Sequence, residues 1–324
     1  MQLAYYQSRL PNFGDDLNPE IWTKLAPDVL DDRRSDEAFV GIGTIIGIPS
    51  FPFKKLNVFS SGVGDCPVDS WADRQVRYWC VRGPLSAHSL GLDEDAAISD
   101  GAILVPLIWP PQLGRAQGRI SIVPHWQTLD YGGWEDVAKL TGFDVIDPRD
   151  TPLKVIEKIA QSKLVLAESL HGAIIADSYD VPWRSFATSK NFSVAKWVDW
   201  TSSIDVPLEV TLVPPPSEGP VVTFGKRQEP FGTTVKFSLE DGLAEFGRRT
   251  QARHSTLKMW VKKAVKAVPG ARKLAGSDYS PNLTAEALVT LAQQSARLSD
   301  RALLARNQDR MLRRLEDLKR YHGS

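Results

Sequence analysis

Short apolar runs, each closed by a glycine or polar turn, recur along the chain and are separated by stretches with apolar residues at helical spacing. Leu3 to Tyr6, Ala38 to Ile42, Asn57 to Ser60, Val76 to Val81 and Ala97 to Ser99 are predicted strands. Leu17 to Leu25, with Pro19 in its first turn, and Leu85 to Leu90 are predicted helices. Strands that alternate with helical segments predict a parallel sheet with helices on both faces. Trp109-Pro110-Pro111-Gln112-Leu113-Gly114 breaks both periodicities and reads as a linker. The pattern then restarts. Ile120 to Val123, Val145 to Asp147, Leu164 to Ala167 and the run through Trp183 to Phe186 are predicted strands. Trp134 to Leu140, Thr151-Pro152 through Ser162, a small-residue stretch after His171, and Ser193 to Trp200 are predicted helices. Pro214-Pro215-Pro216 marks the end of the second unit. The division expected is an α/β domain over 1–112, a second over 113–240, and a helical tail over 241–324.

The tail differs in kind. Leu243 to Val268 sets Arg248, Arg249, Arg253, Lys258, Lys262, Lys263 and Lys266 around Leu257, Trp260, Val261 and Val265. That spacing describes either an interfacial amphipathic helix or a helix packed on the second domain with a solvated basic face. Leu283 to Tyr321 reads as one long helix, with Leu291, Leu298, Ala305 and Leu312 seven residues apart, as in a weak coiled coil or a packed helical pair. Residues 247–324 hold 17 Lys and Arg against 6 Asp and Glu, a net +11. The whole chain is neutral, so the rest carries −11. An acidic body with a basic tail suggests a tail that meets an anionic membrane surface or that same body.

At 324 residues the chain exceeds what one hydrophobic core usually supports. Hydrophobic content of 42% and charge of 24% are those of an ordinary soluble protein. Cys66 and Cys80, the only cysteines, make neither a disulfide framework nor a zinc site. With no signal-peptide pattern at the amino terminus and no apolar run near membrane-spanning length, a cytoplasmic location is expected.

Candidate chemistry lies at five strand-end turns: Asn12/Gly14/Asp15/Asp16, Gly41/Gly43/Thr44, Arg82/Gly83, His125, and Glu168/Ser169/His171. In open α/β sheets ligands bind outside the carboxyl ends of the strands, and glycines there let backbone N–H groups approach an anion. Gly41-Ile42-Gly43 lacks the third glycine of a dinucleotide fingerprint. Each turn also has a structural reading: His171 can cap its turn, and Arg82-Gly83-Pro84 can be a surface helix start.

Taken together the segments resemble the polysaccharide pyruvyl transferases. The resemblance covers most of residues 1–190. It rests on Asn12-Phe13-Gly14-Asp15-Asp16-Leu17-Asn18, Gly41-Ile42-Gly43-Thr44, Ser61-Gly62-Val63-Gly64, Val81-Arg82-Gly83-Pro84-Leu85-Ser86, Ser99-Asp100-Gly101-Ala102, Val123-Pro124-His125-Trp126 and Glu168-Ser169-Leu170-His171-Gly172. The first of these looks most like the branch that pyruvylates exopolysaccharides such as succinoglycan. Many members carry Arg where this chain has Ser169, and Asp-Pro-Ala where it has Asp100-Gly101-Ala102.

The resemblance implies two Rossmann-like domains in a GT-B-like arrangement. It implies phosphoenolpyruvate as donor and a lipid-linked glycan as acceptor, joined as a cyclic ketal, with no metal and no resident cofactor. Such a donor needs cations and backbone donors, which Arg82, Gly43, Thr44 and Ser169 can supply. Ketal formation needs a general acid and a general base: His171 is the candidate acid, Asp15 and Glu168 the candidate bases, and His125 supports them. Asn12 and Asp16 join the substrate-binding set. Trp126, Trp183 and Trp197 can stack on sugar faces or fill the core. Expected partners are phosphoenolpyruvate, the glycan, an anionic membrane surface and a second copy of the chain, with no nucleic acid. A GT-B glycosyltransferase using a nucleotide sugar and a non-catalytic assembly protein are the competing readings.

Overall fold

The computed structural model describes residues 1–30, 36–111, 118–254 and 279–323. Its first sheet has four parallel strands in the order β1-β2-β3-β4: Gln2–Ala4, Glu37–Val40, Lys55–Phe59 and Gln75–Cys80. Among the described residues, helix α1, Phe13–Leu25, makes the only α-helical crossover between these strands. The β2–β3 connection is too rich in Gly and Pro for a helix, and β3–β4 holds only the short turn Val68–Trp71. The regular alternation expected here is thus incomplete. The fifth expected strand shrinks to one parallel bridge, Val81 to Ala97. Helices α2, Pro84–Leu90, and α3, Val105–Ile108, follow the sheet.

The second sheet has six strands in the order β10-β9-β8-β7-β5-β6. The strands are β5, Ile120–Val123; β6, Asp144–Val145; β7, Leu164–Ala167; β8, Trp183–Ala187; β9, Leu208–Leu212; and β10, Thr234–Phe237. All pair in parallel except β10, which closes on β9 antiparallel. Crossovers are α4, Trp134–Thr141; α5, Pro152–Ala160; α6, Leu170–Ser178; and α7, Val194–Ser203, with the short α8, Gly219–Phe224, before β10. Buried on both faces, β7 reads as a continuous apolar run, while β8, also buried throughout, carries Arg184 and Ser185, whose side chains bond to Glu209 of β9. From β5 the chain moves to β6 on one side and then returns to β7 on the other. That reversal opens a crevice at the carboxyl ends of β5 and β7.

The described parts of the tail pack onto both domains. Helix α9, Leu239–His254, lies against α7 and α2, and α10, Pro281–Ala292, against α4. Helix α11, Arg301–Gly323, returns to β4 of the first sheet. The single helix expected over Leu283–Tyr321 is therefore two. Asp177 draws the intervening chain inward, accepting from the Ser299 N–H at 2.8 Å and hydroxyl at 2.6 Å, and Asp300 caps α11 through the Leu303 N–H. The buried stripe of α11 is Leu304, Asn307, Met311, Leu315 and Leu318, not the heptad seam. Several tail arginines pair with body acids: Arg249 with Asp65, Arg297 with Glu209, Arg301 with Asp177, and Arg310 and Arg314 with Asp95. The basic helix expected around Trp260 lies outside the described residues, as does part of the linker after Pro111. Among the described residues no helix is long and apolar enough to cross a membrane.

Leu315 is 1% exposed on the face of α11 that covers the first domain. Leu315→Ala should cost about 2–5 kcal/mol, read as a shifted denaturant midpoint. An unchanged midpoint would show that α11 does not remain docked.

Candidate active site

The crevice is built on a buried carboxylate. Glu168 directly follows β7 and is 1% exposed. One oxygen accepts from the His125 N–H at 3.0 Å and the Thr128 hydroxyl at 2.8 Å, while the other accepts from the Thr188 N–H at 3.0 Å and the Thr188 hydroxyl. Glu168 thus ties together the chain after β5, β7 and β8. Four donors fill its lone pairs, so its geometry is that of a strut and not the open base expected from its position in the turn.

His125 follows β5. Its Nδ1 accepts from the Gln127 N–H at 3.3 Å and lies 2.9 Å from the Asn191 side-chain amide nitrogen. Two donors on Nδ1 assign the proton to Nε2. Burial, with the nearby charge of Lys196, pushes this histidine down to about 3, so it is a neutral N–H donor at working pH. Trp126, half-buried beside it, is the candidate stacking tryptophan that stays at the crevice. Trp183 and Trp197 instead pack with Trp200 in the core.

His171 sits in the first turn of α6, where Ser169 is the N-cap and accepts from the Gly172 N–H at 3.3 Å. Gly14, in the first turn of α1, lies directly against the imidazole, and a Cβ there would overlap the ring. The first domain thereby forms one wall of the histidine's pocket. His171 Nε2 is 3.8 Å from Asp100 Oδ1. Neither that nitrogen nor Asp100 Oδ2 has a hydrogen-bond partner, although both are buried. Unsatisfied buried polar atoms are uncommon, and a catalytic role is one of the reasons a fold keeps them. Burial holds His171 below its ordinary pKa; Asp100 opposes this, and Arg82 and Lys196 reinforce it.

Asp15 follows Gly14, half-buried beside Gly43. Burial raises its carboxyl from the ordinary 3.8 to about 6, against the Asn12 amide that donates to it at 2.7 Å. Asp16 accepts from the Asn12 N–H at 3.3 Å, so Asn12 and Asp16 shape the turn that aims Asp15. Asn18 fixes α1 to the end of β2 by exchanging bonds with Ile42, at 2.7 and 3.0 Å.

Arg82 is fully buried. Its guanidinium donates to Asp199 of α7 at 2.9 Å, to the Thr44 hydroxyl at 2.7 Å and to the Val63 carbonyl at 2.9 Å. Asp199 also accepts from the Ser86 N–H and hydroxyl, at 2.9 and 2.5 Å. The arginine expected to meet a ligand directly is instead a link between the domains that orients Thr44. The crevice-facing cation is Lys196 of α7, whose charge reaches Asp15, His125 and His171. Sequence reasoning singled out neither Lys196 nor Asp199. They lie on the predicted helix Ser193 to Trp200, whose tryptophans suggested a core element. Asp100 was within a recognised turn but carried no assigned role. Among the described residues no group of three His, Cys, Asp or Glu could hold a metal ion.

A sequence model of the family described as polysaccharide pyruvyl transferase matches residues 14–190, more than half of the chain. The succinoglycan biosynthesis protein ExoV of Rhizobium meliloti (strain 1021) is 35% identical over 230 residues, which cover 70% of this chain and 72% of that protein. No solved structure matches.

Asp15 has a stability consequence whose sign is fixed by its raised pKa. Between 3.8 and about 6 the folded state binds more protons than the unfolded state, so this carboxyl lowers stability as pH rises through that window. Asp15→Asn should therefore raise the melting temperature at about pH 7.5, with the gain fading below about pH 4. A lowered melting temperature at the higher pH would refute the buried-carboxylate assignment.

Proposed function

The chain belongs to the polysaccharide pyruvyl transferase family, and from that premise we propose that its crevice moves pyruvate from phosphoenolpyruvate onto two hydroxyls of a sugar in an exopolysaccharide repeat unit. The observation that carries the reading is the meeting of His171, Asp100 and Asp15 at the domain junction, with His171 Nε2 and Asp100 Oδ2 buried and unpartnered. The relative's part in succinoglycan biosynthesis supports the polysaccharide acceptor.

The donor is an enol phosphate. Protonation of its methylene carbon makes C2 electrophilic, one sugar hydroxyl adds there, and the C2–O bond to phosphate breaks. The second hydroxyl then closes the ring, giving the cyclic ketal and inorganic phosphate. His171 is the proton donor in this scheme. In the free enzyme it is neutral, because burial, Arg82 and Lys196 all disfavour its charged form. An arriving anion opposes those two cations and raises the histidine's pKa, so the donor itself promotes the protonated form. Asp100, beside Nε2, holds the imidazolium once formed. Asp15, raised to about 6, takes the proton of a sugar hydroxyl near neutral pH. His125 contributes its Nε2–H to a phosphate or carboxylate oxygen, with the Gly43, Thr44 and Ser169 turns around it. Arg82 acts through Thr44, and Glu168 by shaping the His125 turn.

Incubation with phosphoenolpyruvate and cytoplasmic membrane glycolipids should release phosphate and add a pyruvate ketal to the glycan, read by mass spectrometry. His171→Ala should lose on the order of 100-fold or more in rate with the fold intact. Gly14→Ala, which displaces the same ring without removing it, should also lose most activity. Phosphate release by His171→Ala at the normal rate would remove it from the mechanism.

The acceptor in this reading is lipid-linked, and the basic segment carrying Lys258, Lys262, Lys263 and Lys266 docks the enzyme on an anionic leaflet. Basic residues near such a surface contribute about 1 kcal/mol each, screened by salt. Neutralising these four lysines to Gln should weaken binding to anionic vesicles, with activity on a soluble acceptor retained. Equal vesicle binding would refute the docking.

A further inference from the structure

The ammonium of Lys196 is held in a closed ring of charges that joins three parts of the chain. Lys196 Nζ lies 2.8 Å from Asp65 Oδ2, in the loop after β3. Asp65 Oδ1 is 3.1 Å from Arg249 Nη1 of α9, and Arg249 Nη2 is 3.2 Å from Glu245 Oε1. The other Glu245 oxygen accepts at 2.7 Å from the N–H of Ala195, the residue before Lys196. The ring thus returns to the backbone from which it started. A surface lysine is a mobile point charge on a flexible stem; here both its head and the base of its stem are fixed.

The ring aims Lys196 at the crevice. Its stem packs on Gly64, where a Cβ would stand 3.0 Å from Lys196 Cε and would overlap the Thr44 methyl. Lys196, Thr44 and Gly64 therefore converge on one spot, beside the Gly43 turn that borders Asp15. Asp65 takes one of the three N–H donors of the ammonium, and its carboxyl, held well below the ordinary range by Lys196 and Arg249, stays an anion. The lysine remains 28% exposed, whereas Arg82 is fully buried on protein partners.

We propose that Lys196 is a substrate-binding residue: its ammonium receives an anionic group of the donor at the Thr44 and Gly64 turns, and Asp65 and Arg249 position it. Helix α9, beyond the region matched by the family, is then a supporting part of the active site. The inference rests on the reading that the donor is an anionic enol phosphate, and it adds which cation meets that anion.

The test uses the full-length wild-type protein. Reductive methylation of lysines is followed by mass spectrometry with and without phosphoenolpyruvate, inorganic phosphate or pyruvate. Saturating phosphoenolpyruvate should slow modification of Lys196 about tenfold or more, with Lys236, which is 80% exposed, unchanged. Protection by phosphate alone assigns the lysine to the phosphate end of the donor, and protection by pyruvate alone to the carboxylate end. In steady-state kinetics Lys196→Met should raise the donor KM by about tenfold or more and leave the acceptor KM unchanged, and Lys196→Arg should recover part of the loss. Arg249→Met should raise the donor KM less. Turnover of phosphoenolpyruvate with Lys196 equally reactive in its presence and absence would overturn this inference and leave the proposed activity standing. Absence of phosphate release from the wild-type protein would overturn both.

Discussion

The Arg82 guanidinium and the Asp199 carboxylate meet across the domain junction with side chains 1% and 0% exposed. Either charge alone in that position would cost several kcal/mol in lost hydration. The pair is tolerated because its remaining polar atoms are also bonded: Ser86 donates twice to Asp199, and Arg82 donates to Thr44 and to the Val63 carbonyl. Separating the domains would leave both charges poorly partnered. The Thr44 turn of one domain and helix α7 of the other are therefore fixed relative to each other. With them are fixed Lys196, three residues before Asp199, and the crevice between the sheets.

That crevice combines desolvation with fixed charge. Burial lowers His125 and His171 and raises Asp15, which brings the carboxyl toward neutrality and keeps both imidazoles uncharged. Lys196 pulls all three groups down from within the same space. Burial is the main reason His171 stays neutral, with Arg82 and Lys196 adding to it, so an anion that offsets those two cations shifts the histidine back toward its protonated form. Gly14 against the His171 ring makes this environment a joint product of the two domains.

The C-terminal helices stabilise this arrangement. Helix α11 buries an apolar stripe on the first sheet and bonds to both domains, Gln308 to the Ile103 carbonyl and Asn307 to the Ser203 carbonyl. Helix α9 caps the first turn of α7 through Glu245 and anchors Asp65 through Arg249. The charge asymmetry between body and tail is, for these helices, an internal complementarity. Arg249, Arg297, Arg301 and Arg310 of the tail meet Asp65, Glu209, Asp177 and Asp95 of the body.

Much of this protein was legible from the chain alone. Strands β5 to β8 of the second sheet, the crossovers between them and the polar turns at their ends follow from hydrophobic period and turn residues, which act over a few positions, whereas β9 and β10, the latter beyond the Pro214-Pro215-Pro216 run read as the end of the unit, were not foreseen. The position of His171 at a strand-to-helix turn followed for the same reason. The single long helix predicted for the tail failed because what divides it is Asp177, more than a hundred residues away, bonding to Ser299. Arg82 and Glu168 looked like ligand groups because residue type shows charge but not partner. Arg82 finds its carboxylate 117 residues further on, and Glu168 gathers donors from two other strand ends. Lys196 was hidden in a helix whose tryptophans mark it as core. The chain by itself determined most of the succession of strands, helices and turns over its first 200 residues, because those signals are local. Only the tertiary structure decided which charges are neutralised in the interior and which face the crevice, because ion pairing and burial depend on the packing of segments remote in sequence.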